Sequence, residues 1–489
     1  MRTLLDLFDR NTAAFADRPA LVTPERTLTY ADLRARVLAL AAELTRRVVR
    51  PGGRVGVMLR NSPEFVIAYW AILETGAVAV PLNDQYRQNE ILHFIDECGL
   101  SLILTNESHR DLCGSVLPQA KTPCALSFSE TWQALAPDET WQPPAVDSAA
   151  PVMFQFSSGS TGRPKRIARD HSKILWELDV LTNTLALSPD DRFLGVAPFS
   201  HVNGLMRSMM ASFHAGASLY PVAQFDRQVV AALIERERLT VFIAVPFMFI
   251  VLAETRFDQA PNWRSLRWCI SASAPLPIKY NREFHSKFGS YIRQLYGSTE
   301  TGSMSINLSA DVAETLDSVG APLPGIEFLI LDEGARRVPA ETVGQVIVSS
   351  PGAIQGYDAF PELNAQVFRD GFFHTGDLGR LDAQGRLYLQ GRLKFLINKS
   401  GFKIDPREVE SVLEDHPAVD QVAVVGVATP YGDEKVKAVI VRRGPCTAIE
   451  LAEYCRGKIA DFKIPSVFEF REEMPTSPTG KLRRALLTE

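Results

Sequence analysis

The stretch RVGVMLRNSPEFVIAYWAILETGAVAVPLN, residues 54–83, places two short apolar runs on either side of a segment with helix signals. RVGVMLR and AVAVPLN each have the composition of a buried strand. Between them, Ser62 and Pro63 are typical of a helix start, and Gly76 is typical of a helix end. The stretch therefore predicts a strand–helix–strand unit, the element from which parallel sheets covered by helices are built.

The same alternation recurs along most of the chain, in SLILT, RFLGVAPF, ASLYPV, QVVAALIERERL, VFIAVPF and RWCISASA. Beyond residue 320 it changes to short alternating segments, with a hairpin turn predicted at residues 382–385, which indicates an antiparallel β subdomain. After Leu393 the pattern is that of a compact α+β tail. We predict an α/β protein with a large N-terminal domain, residues 1–393, of βα-layered sheets and a β subdomain, and a small mobile domain, residues 394–489.

The composition excludes several classes of protein. At 489 residues with a formal charge of −5, the chain has no overall positive field to hold nucleic acid or an anionic membrane. The cysteines form no C-x-x-C pair, so neither a disulfide framework nor a zinc ribbon is indicated, and a reducing cytoplasm fits best. Asp6 and Asp9 interrupt the apolar N-terminus, unlike a secretory signal, and no apolar run is long enough for a membrane span.

The segment FQFSSGSTGRPKR, residues 154–166, is rich in glycine and hydroxylated residues and ends on basic ones. Such a loop can direct backbone N–H groups and a lysine at a phosphate. It matches neither G-x-x-x-x-G-K-[ST] nor G-x-G-x-x-G, and a flexible surface loop has the same composition. From these residues alone, the two interpretations stay equally open.

Four further motifs follow in order: YGSTETG (296–302), FHTGDLGRL (373–381), GRLKFLINKSGFKIDPREVE (391–410) and PTSPTGKLRR (475–484). Together with SSGSTGRPK they resemble the adenylate-forming superfamily of acyl- and aryl-CoA synthetases, peptide-synthetase adenylation domains and firefly luciferase. The likeness runs the whole length of the chain. It implies that ATP and Mg²⁺ activate a carboxylic acid as an acyl-adenylate, which then forms a thioester with CoA.

The resemblance also implies the roles of individual residues. The loop that closes over the β- and γ-phosphates would comprise Ser157, Ser158, Gly159, Ser160, Thr161, Gly162 and Lys165. The adenine, α-phosphate and ribose would be bound by Ala272, Ser273, Ala274, Tyr296, Gly297, Ser298, Thr299, Asp377 and Arg392. Glu300 would help to hold Mg²⁺, since a carboxylate is a suitable hard ligand. Lys481 would bridge the attacking carboxylate and the α-phosphate.

In the superfamily, the small domain swings between the two half-reactions. Lys394 occupies the hinge position, and Gly401 would line the tunnel for the pantetheine thiol. The acid pocket would be lined by His201, Met206, Phe247, Met248, Leu295 and Ser303. This lining is mostly apolar, which favours a small aromatic or a short to medium acyl acid.

Two positions depart from the family pattern. Arg166 stands where glycine is usual, and could either contact phosphate or stiffen the loop. Asn398 replaces a lysine that many relatives have, which weakens any transfer of 4-coumarate specificity. FSHVNGL also lacks the Asp that binds a substrate amine, which disfavours α-amino acids.

Two rival functions remain beside the CoA ligase. A freestanding ligase could load its adenylate onto the phosphopantetheine of a separate carrier protein, with the same first half-reaction. The other rival is a sensor protein that has kept the fold but catalyses no reaction. The many retained polar motif residues disfavour it.

Overall fold

Helices and strands alternate along the chain in the computed structural model, which describes residues 2–47, 49–136, 138, 140–157, 165–358, 360–399, 402–429, 434–456, 458–459, 461–476 and 482–488. The α-helices are α1 Leu4–Ala14, α2 Tyr30–Arg47, α3 Pro63–Glu74, α4 Gln88–Cys98, α5 Arg110–Val116, α6 His171–Thr184, α7 Ala211–Ala215, α8 Arg227–Glu237, α9 Pro246–Glu254, α10 Ile278–Phe288, α11 Pro361–Val367, α12 Pro406–Glu414 and α13 Ala448–Cys455. A π-helical segment, Asn203–Met210, leads directly into α7.

The strands up to the end of the parallel sheets are β1 Pro19–Val22, β2 Thr27–Thr29, β3 Arg54–Val57, β4 Val78–Pro81, β5 Leu102–Thr105, β6 Ala125–Phe128, β7 Pro151–Ser157, β8 Lys165–Asp170, β9 Arg192–Gly195, β10 Ser218–Pro221, β11 Val241–Ala244, β12 Trp268–Ala272, β13 Arg293–Ser298, β14 Gly302–Ile306 and β15 Ser318–Pro322. The later strands are β16 Glu327–Leu331, β17 Gly344–Ser349, β18 Phe368–Arg369, β19 Phe372–Leu381, β20 Leu387–Arg392, β21 Ile397–Lys399, β22 Phe402–Ile404, β23 Val419–Ala428, β24 Glu434–Arg442 and β25 Val467–Arg471.

The strand–helix–strand unit predicted for residues 54–83 is confirmed as β3, α3 and β4. Ser62 caps α3 by accepting a hydrogen bond from the backbone N–H of Phe65 at 3.2 Å, and Pro63 begins the helix. β3 and β4 are parallel, with Val55 opposite Ala79. Trp70 and the other apolar residues of α3 are buried, so this helix lies inside the core.

The chain forms two compact units, and the first comprises residues 1–326 and 349–371. One of its sheets has the order β6-β5-β3-β4-β7-β8, parallel throughout except for the antiparallel pair β7–β8. The other sheet runs β15-β14-β13-β12-β11-β9-β10-β1-β2 and is parallel from β13 to β1. The predicted α/β class, with helix-covered parallel sheets, is confirmed.

The second unit comprises residues 327–348 and 372–489. β17, β19 and β20 form antiparallel pairs, and the turn predicted at residues 382–385 joins β19 to β20. In the tail, β23 pairs antiparallel with β24, and β25 lies parallel to β24. Buried residues of these strands and of α12 and α13, among them Val424, Ile440, Leu413 and Leu451, form an apolar core within the tail. The domain boundary at residue 393 stays a prediction, since this unit also contains part of the β subdomain.

The six cysteines are all free, and Cys124 is the one that is not fully buried. Burial raises the pKa of each thiol, to about 12 for Cys98 and Cys269 and to about 11 for Cys113. None of the helices in the described ranges combines the length and the apolar composition that a membrane crossing requires.

Candidate active site

The Ser/Gly segment connects two paired antiparallel strands. β7 ends at Ser157 and β8 begins at Lys165, and these two residues lie opposite each other in the ladder. Ser158, Gly159, Ser160, Thr161 and Gly162 lie outside the described residues, so their role at the phosphates stays a prediction. The ammonium of Lys165 lies 5.1 Å from the centre of the Tyr357 ring, a cation–π contact at the base of the hairpin.

Arg166, the departure from the family's glycine, is held by its neighbours in the first unit. Its guanidinium forms an ion pair with Asp358 at 3.0 Å and lies 4.9 Å from the centre of the Phe154 ring. It also donates to the backbone carbonyl of Glu97 at 3.3 Å. These contacts favour the second of the two roles considered for Arg166, stiffening of the hairpin rather than phosphate binding.

The motif YGSTE spans the end of β13 and the turn into β14. β12 and β13 are parallel with Ala272 opposite Leu295, so the residues that follow both strands emerge at one edge of the sheet. Ser273, just after β12, is exposed and has a φ of 80°. The candidate adenine residues 272–274 and the candidate phosphate residues 296–300 therefore come together at this edge.

Glu300 is buried, with 8% of its surface exposed, and is oriented by a residue that no sequence motif marks. The Tyr357 hydroxyl donates to Oε1 of Glu300 at 2.8 Å, and the backbone N–H of Ile354 donates to the Glu300 carbonyl at 2.9 Å. Burial, and secondly the Glu300 carboxylate, raise the pKa of Tyr357, so the phenol keeps the proton that it donates. Sequence reasoning misses Tyr357 because it lies 57 residues from Glu300 along the chain.

The Glu300 carboxylate fits the implied Mg²⁺ as a hard oxygen ligand whose orientation is fixed by Tyr357. Across the described ranges, no group of three or more His, Cys, Asp or Glu residues is placed to hold a metal ion. A single carboxylate is the donor set expected where Mg²⁺ takes most of its ligands from phosphates and water.

The two candidate ribose residues lie together in the second unit. Asp377 of β19 is opposite Arg392 of β20, and Nε of Arg392 donates to Oδ1 of Asp377 at 2.6 Å. Asp377 is 7% exposed and the Arg392 side chain is 44% exposed. The ion pair orients the carboxylate that would accept the ribose hydroxyls.

Three candidate residues belong to the tail. Lys394 lies in a 3₁₀ turn, Leu393–Phe395, directly after β20, where the sequence predicts the hinge. Gly401 and Lys481 lie outside the described residues. The thiol tunnel, the hinge and the catalytic lysine therefore stay predictions.

The candidate acid pocket is brought together only in part. Met206, Leu295 and Ser303 are buried in the first unit, on the π-helical segment, β13 and β14. Met248 is buried in the apolar core around α9 and α10. Phe247 is 55% exposed and its ring lies 6.2 Å from that of Phe225, so its place in the pocket stays a prediction.

His201 lies two residues before the start of the π-helical segment, and burial lowers its pKa to about 4. The imidazole is therefore neutral at physiological pH. The segment also supplies Arg207, which sequence reasoning misses, and whose Nε donates to Oγ of Ser303 at 2.9 Å. An arginine in an apolar helical pattern gives no signal of its burial.

Two family models match this chain: that of the AMP-binding enzymes over residues 8–358, and that of their C-terminal domain over residues 408–481. The chain belongs to the AMP-binding enzyme family. A long-chain-fatty-acid–CoA ligase of Bacillus subtilis (strain 168) is 30% identical to this AMP-binding enzyme. The match covers 100% of this chain and 94% of the ligase. A feruloyl-CoA synthase of an Amycolatopsis species is 32% identical over 93% and 92% of the two chains.

Among solved structures, the o-succinylbenzoate–CoA synthetase of Bacillus subtilis in complex with ATP and magnesium ion resembles this AMP-binding enzyme with a TM-score of 0.90. The two chains are 28% identical, and the match covers 99% of each. The predicted superfamily and the predicted reaction, ATP-dependent and AMP-forming ligation of an acid to CoA with Mg²⁺, are confirmed.

Proposed function

We propose that this protein makes the CoA thioester of a small carboxylic acid that is aromatic or of short to medium chain length. In the first step, a carboxylate oxygen bonds to the α-phosphorus of ATP and pyrophosphate leaves. In the second step, the CoA sulfur bonds to the acyl carbon, the thiol proton is lost and AMP leaves. Both reactants of the first step are anions, so catalysis depends on preorganised positive groups and hydrogen-bond donors.

The observation that carries the proposal is the shared edge of β12 and β13. Ala272 lies opposite Leu295 in parallel strands, which supports a single nucleotide site formed by residues 272–274 and 296–300. Thr299 would donate to an α-phosphate oxygen, and Tyr296 would lie against the adenine. The ion pair of Asp377 and Arg392 supports their role at the ribose.

Glu300 would bind Mg²⁺ through a carboxylate that Tyr357 orients. When bound, Mg²⁺ neutralises charge on the phosphate oxygens. Lys165 and the loop before it would bind the β- and γ-phosphates, while Lys481 would hold the attacking carboxylate against the α-phosphate.

Replacing Lys481 by Ala should separate the two half-reactions. We expect adenylate formation, measured as acid-dependent pyrophosphate exchange, to fall by at least about 100-fold, because a charge-stabilising donor is lost. Thioester formation from supplied acyl-adenylate and CoA should change by less than about threefold, since Lys481 acts only in the first step.

Lys435→Ala removes an exposed lysine of β24 in the same unit and is the matched control. It should leave both rates unchanged. Equal loss of both half-reactions in a folded Lys481→Ala protein would contradict the proposed division of labour.

The acceptor and the acid are tested together. Pyrophosphate release is measured over a panel of carboxylic acids, and each active acid is then supplied with CoA or with a phosphopantetheinylated carrier protein. Thioester with CoA supports the proposal. Formation of a thioester with the carrier protein alone would support the freestanding carrier-protein ligase. If no acid in the panel leads to pyrophosphate release, the sensor protein would be the remaining function.

The names of the similar proteins span fatty, feruloyl and succinylbenzoyl acids, so they support a CoA ligase without selecting the acid. A cytoplasmic location, where ATP and CoA are available and cysteines stay reduced, is part of the proposal.

A further inference from the structure

Three charged side chains form a buried cluster beside the candidate acid pocket: Arg169 of β8, Glu177 of α6 and Arg207 of the π-helical segment. Each is at most 2% exposed. One guanidinium nitrogen of Arg169 lies 2.6 Å from Oε2 of Glu177. Oε1 of Glu177 accepts hydrogen bonds from the backbone N–H and the hydroxyl of Ser303, both at 2.8 Å.

The cluster carries one more positive charge than negative. Burial would raise the pKa of Glu177, but Arg169 and Arg207 outweigh it and lower that pKa, so the carboxylate is ionised. Burial lowers the pKa of Arg207 to about 10, which still leaves it charged at neutral pH. Within the described part of the chain, neither arginine forms an ion pair with a second carboxylate. A buried unpaired charge is costly, so a ligand anion would offset a real penalty.

Three side-chain polar groups of the π-helical segment, one of them the Ser208 hydroxyl, are buried without a hydrogen-bond partner in the described residues. The other two are N–H donors. They are the second terminal nitrogen of Arg207 and Nδ2 of Asn203. The two side chains are adjacent, because the other terminal nitrogen of Arg207 lies 3.5 Å from Oδ1 of Asn203. Most buried polar groups in folded proteins have partners, so a pair of unpartnered donors on one segment calls for an acceptor.

The unpartnered nitrogen of Arg207 lies against the YGSTE motif. A Cβ atom at Gly297 would come within 2.4 Å of it, so this glycine leaves the space that the guanidinium uses. Gly297 is flanked by Tyr296 and Ser298, which are candidate nucleotide residues. Nε of Arg207 is already bonded to Ser303, a candidate acid-pocket residue.

We propose that Arg207, assisted by Asn203, binds a second carboxylate of the acid substrate, so that the enzyme activates dicarboxylic acids in preference to monocarboxylic ones. This inference rests on the proposed function. The carboxylate that reacts would lie at the α-phosphate beside Thr299, and the second would pair with the unmatched charge of the cluster. π-Helical turns occur frequently at functional sites, and here the turn carries both donors.

The test compares acids that differ only in the second carboxylate: succinate with butyrate, glutarate with valerate, and benzene-1,4-dicarboxylate with benzoate. The measurement is kcat/KM for pyrophosphate exchange by the full-length enzyme. We expect the wild type to favour the dicarboxylate in at least one pair by about 100-fold, since a monocarboxylate leaves buried donors unpaired. Arg207→Met should reduce that preference to within about threefold.

Arg169→Met is the matched control, because it removes the other guanidinium on Glu177 and keeps Arg207. It should reduce the preference by less than Arg207→Met does, because it removes one positive charge of the cluster but keeps the hydrogen-bond donors of Arg207. Arg207→Lys should keep part of the preference, because it retains the charge but loses the fixed fork of donors.

A second readout needs no turnover. Arg207→Met leaves a neutral Arg169–Glu177 pair, so its Tm without ligands should equal or exceed that of the wild type. Preference for the monocarboxylate in every pair would overturn the inference, as would equal loss of both acids in Arg207→Met or a Tm that falls in both Arg207 variants. If none of the acids supports pyrophosphate exchange, the proposed function is wrong, and the inference that rests on it is wrong as well.

Discussion

At the residue scale, the candidate site contains groups that the motifs mark and groups that orient them. Glu300 belongs to YGSTE, and its role follows from the family pattern. Tyr357 and Arg207 belong to no motif, and each contacts a motif or pocket residue across a long separation in sequence, 57 residues for Tyr357 and Glu300 and 96 for Arg207 and Ser303. Such partners are set by tertiary packing, so single-sequence reasoning could not identify them.

Tyr357→Phe tests whether the orienting hydrogen bond matters for Mg²⁺. The change removes the donor to Glu300 and keeps the ring beside Lys165. We expect the Mg²⁺ concentration for half-maximal pyrophosphate exchange to rise about tenfold, because groups that orient a metal ligand contribute this much to metal affinity. The rate should recover at high Mg²⁺.

Tyr454→Phe is the control, since the Tyr454 hydroxyl donates to the Asp415 carbonyl on an exposed part of the second unit. It should leave the Mg²⁺ dependence unchanged. An unaltered Mg²⁺ dependence in Tyr357→Phe would show that Glu300 needs no such orientation.

At the scale of elements, the sequence predicts a turn correctly where its stabilising hydrogen bonds join residues that are close in sequence. The β19–β20 turn is predicted from its residues, and Asp382 indeed accepts hydrogen bonds from the backbone N–H groups of Gln384 and Arg386. The π-helical segment has no such signal, because its apolar spacing resembles that of an α-helix. Its position depends on Gly204, where a Cβ atom would lie 2.2 Å from the carbonyl oxygen of Ala197 and 2.4 Å from that of Pro198.

Gly204→Ala should therefore destabilise the first unit. The obstructing atoms are backbone, so relief requires a shift of the chain, and we expect a loss of about 1–3 kcal/mol, as for overpacked cores. Thermal unfolding followed by intrinsic fluorescence measures the change.

Gly114→Ala is the matched control, because Gly114 lies inside α5 and a Cβ atom there would have no atom within 4 Å apart from its chain neighbours and the backbone of its own helix. It should stabilise the protein by about 0.5–1 kcal/mol through the helix propensity of Ala. Equal Tm values for the two variants would mean that the backbone around Gly204 adapts freely.

At the scale of the whole molecule, the sequence predicts the class of fold but not the order of the strands. Alternating strands and helices with a change beyond residue 320 are enough for an α/β protein with a β subdomain. The neighbours within a sheet are not predictable, because pairs such as β1 and β10, with Leu21 opposite Leu219, are distant in sequence. The boundary at residue 393, which the change of sequence pattern predicts, likewise depends on packing and stays a prediction.

That boundary can be tested with a fragment. Residues 394–489 contain an apolar core of their own, including Val409, Val424 and Ile440, together with a second cluster around Val439 and Leu487. We expect this fragment to fold alone and to unfold cooperatively, as domains with separate cores do. Circular dichroism during heating is the measurement.

The same fragment with Val439→Asp places a charge in the core and should lose the transition. A wild-type fragment without a cooperative transition would show that residues 327–348 and 372–393 are needed for the tail to fold.

The raised pKa values of the cysteines have a consequence for an enzyme that handles a thiol cofactor. Disulfide exchange requires a thiolate, and burial keeps the thiols of this protein protonated at physiological pH. Oxidised coenzyme A arriving with the substrate would therefore find few reactive sulfur atoms to capture it. We therefore expect the protein cysteines to react slowly with oxidised coenzyme A. Slow reaction limits the formation of a mixed disulfide between the enzyme and its cosubstrate.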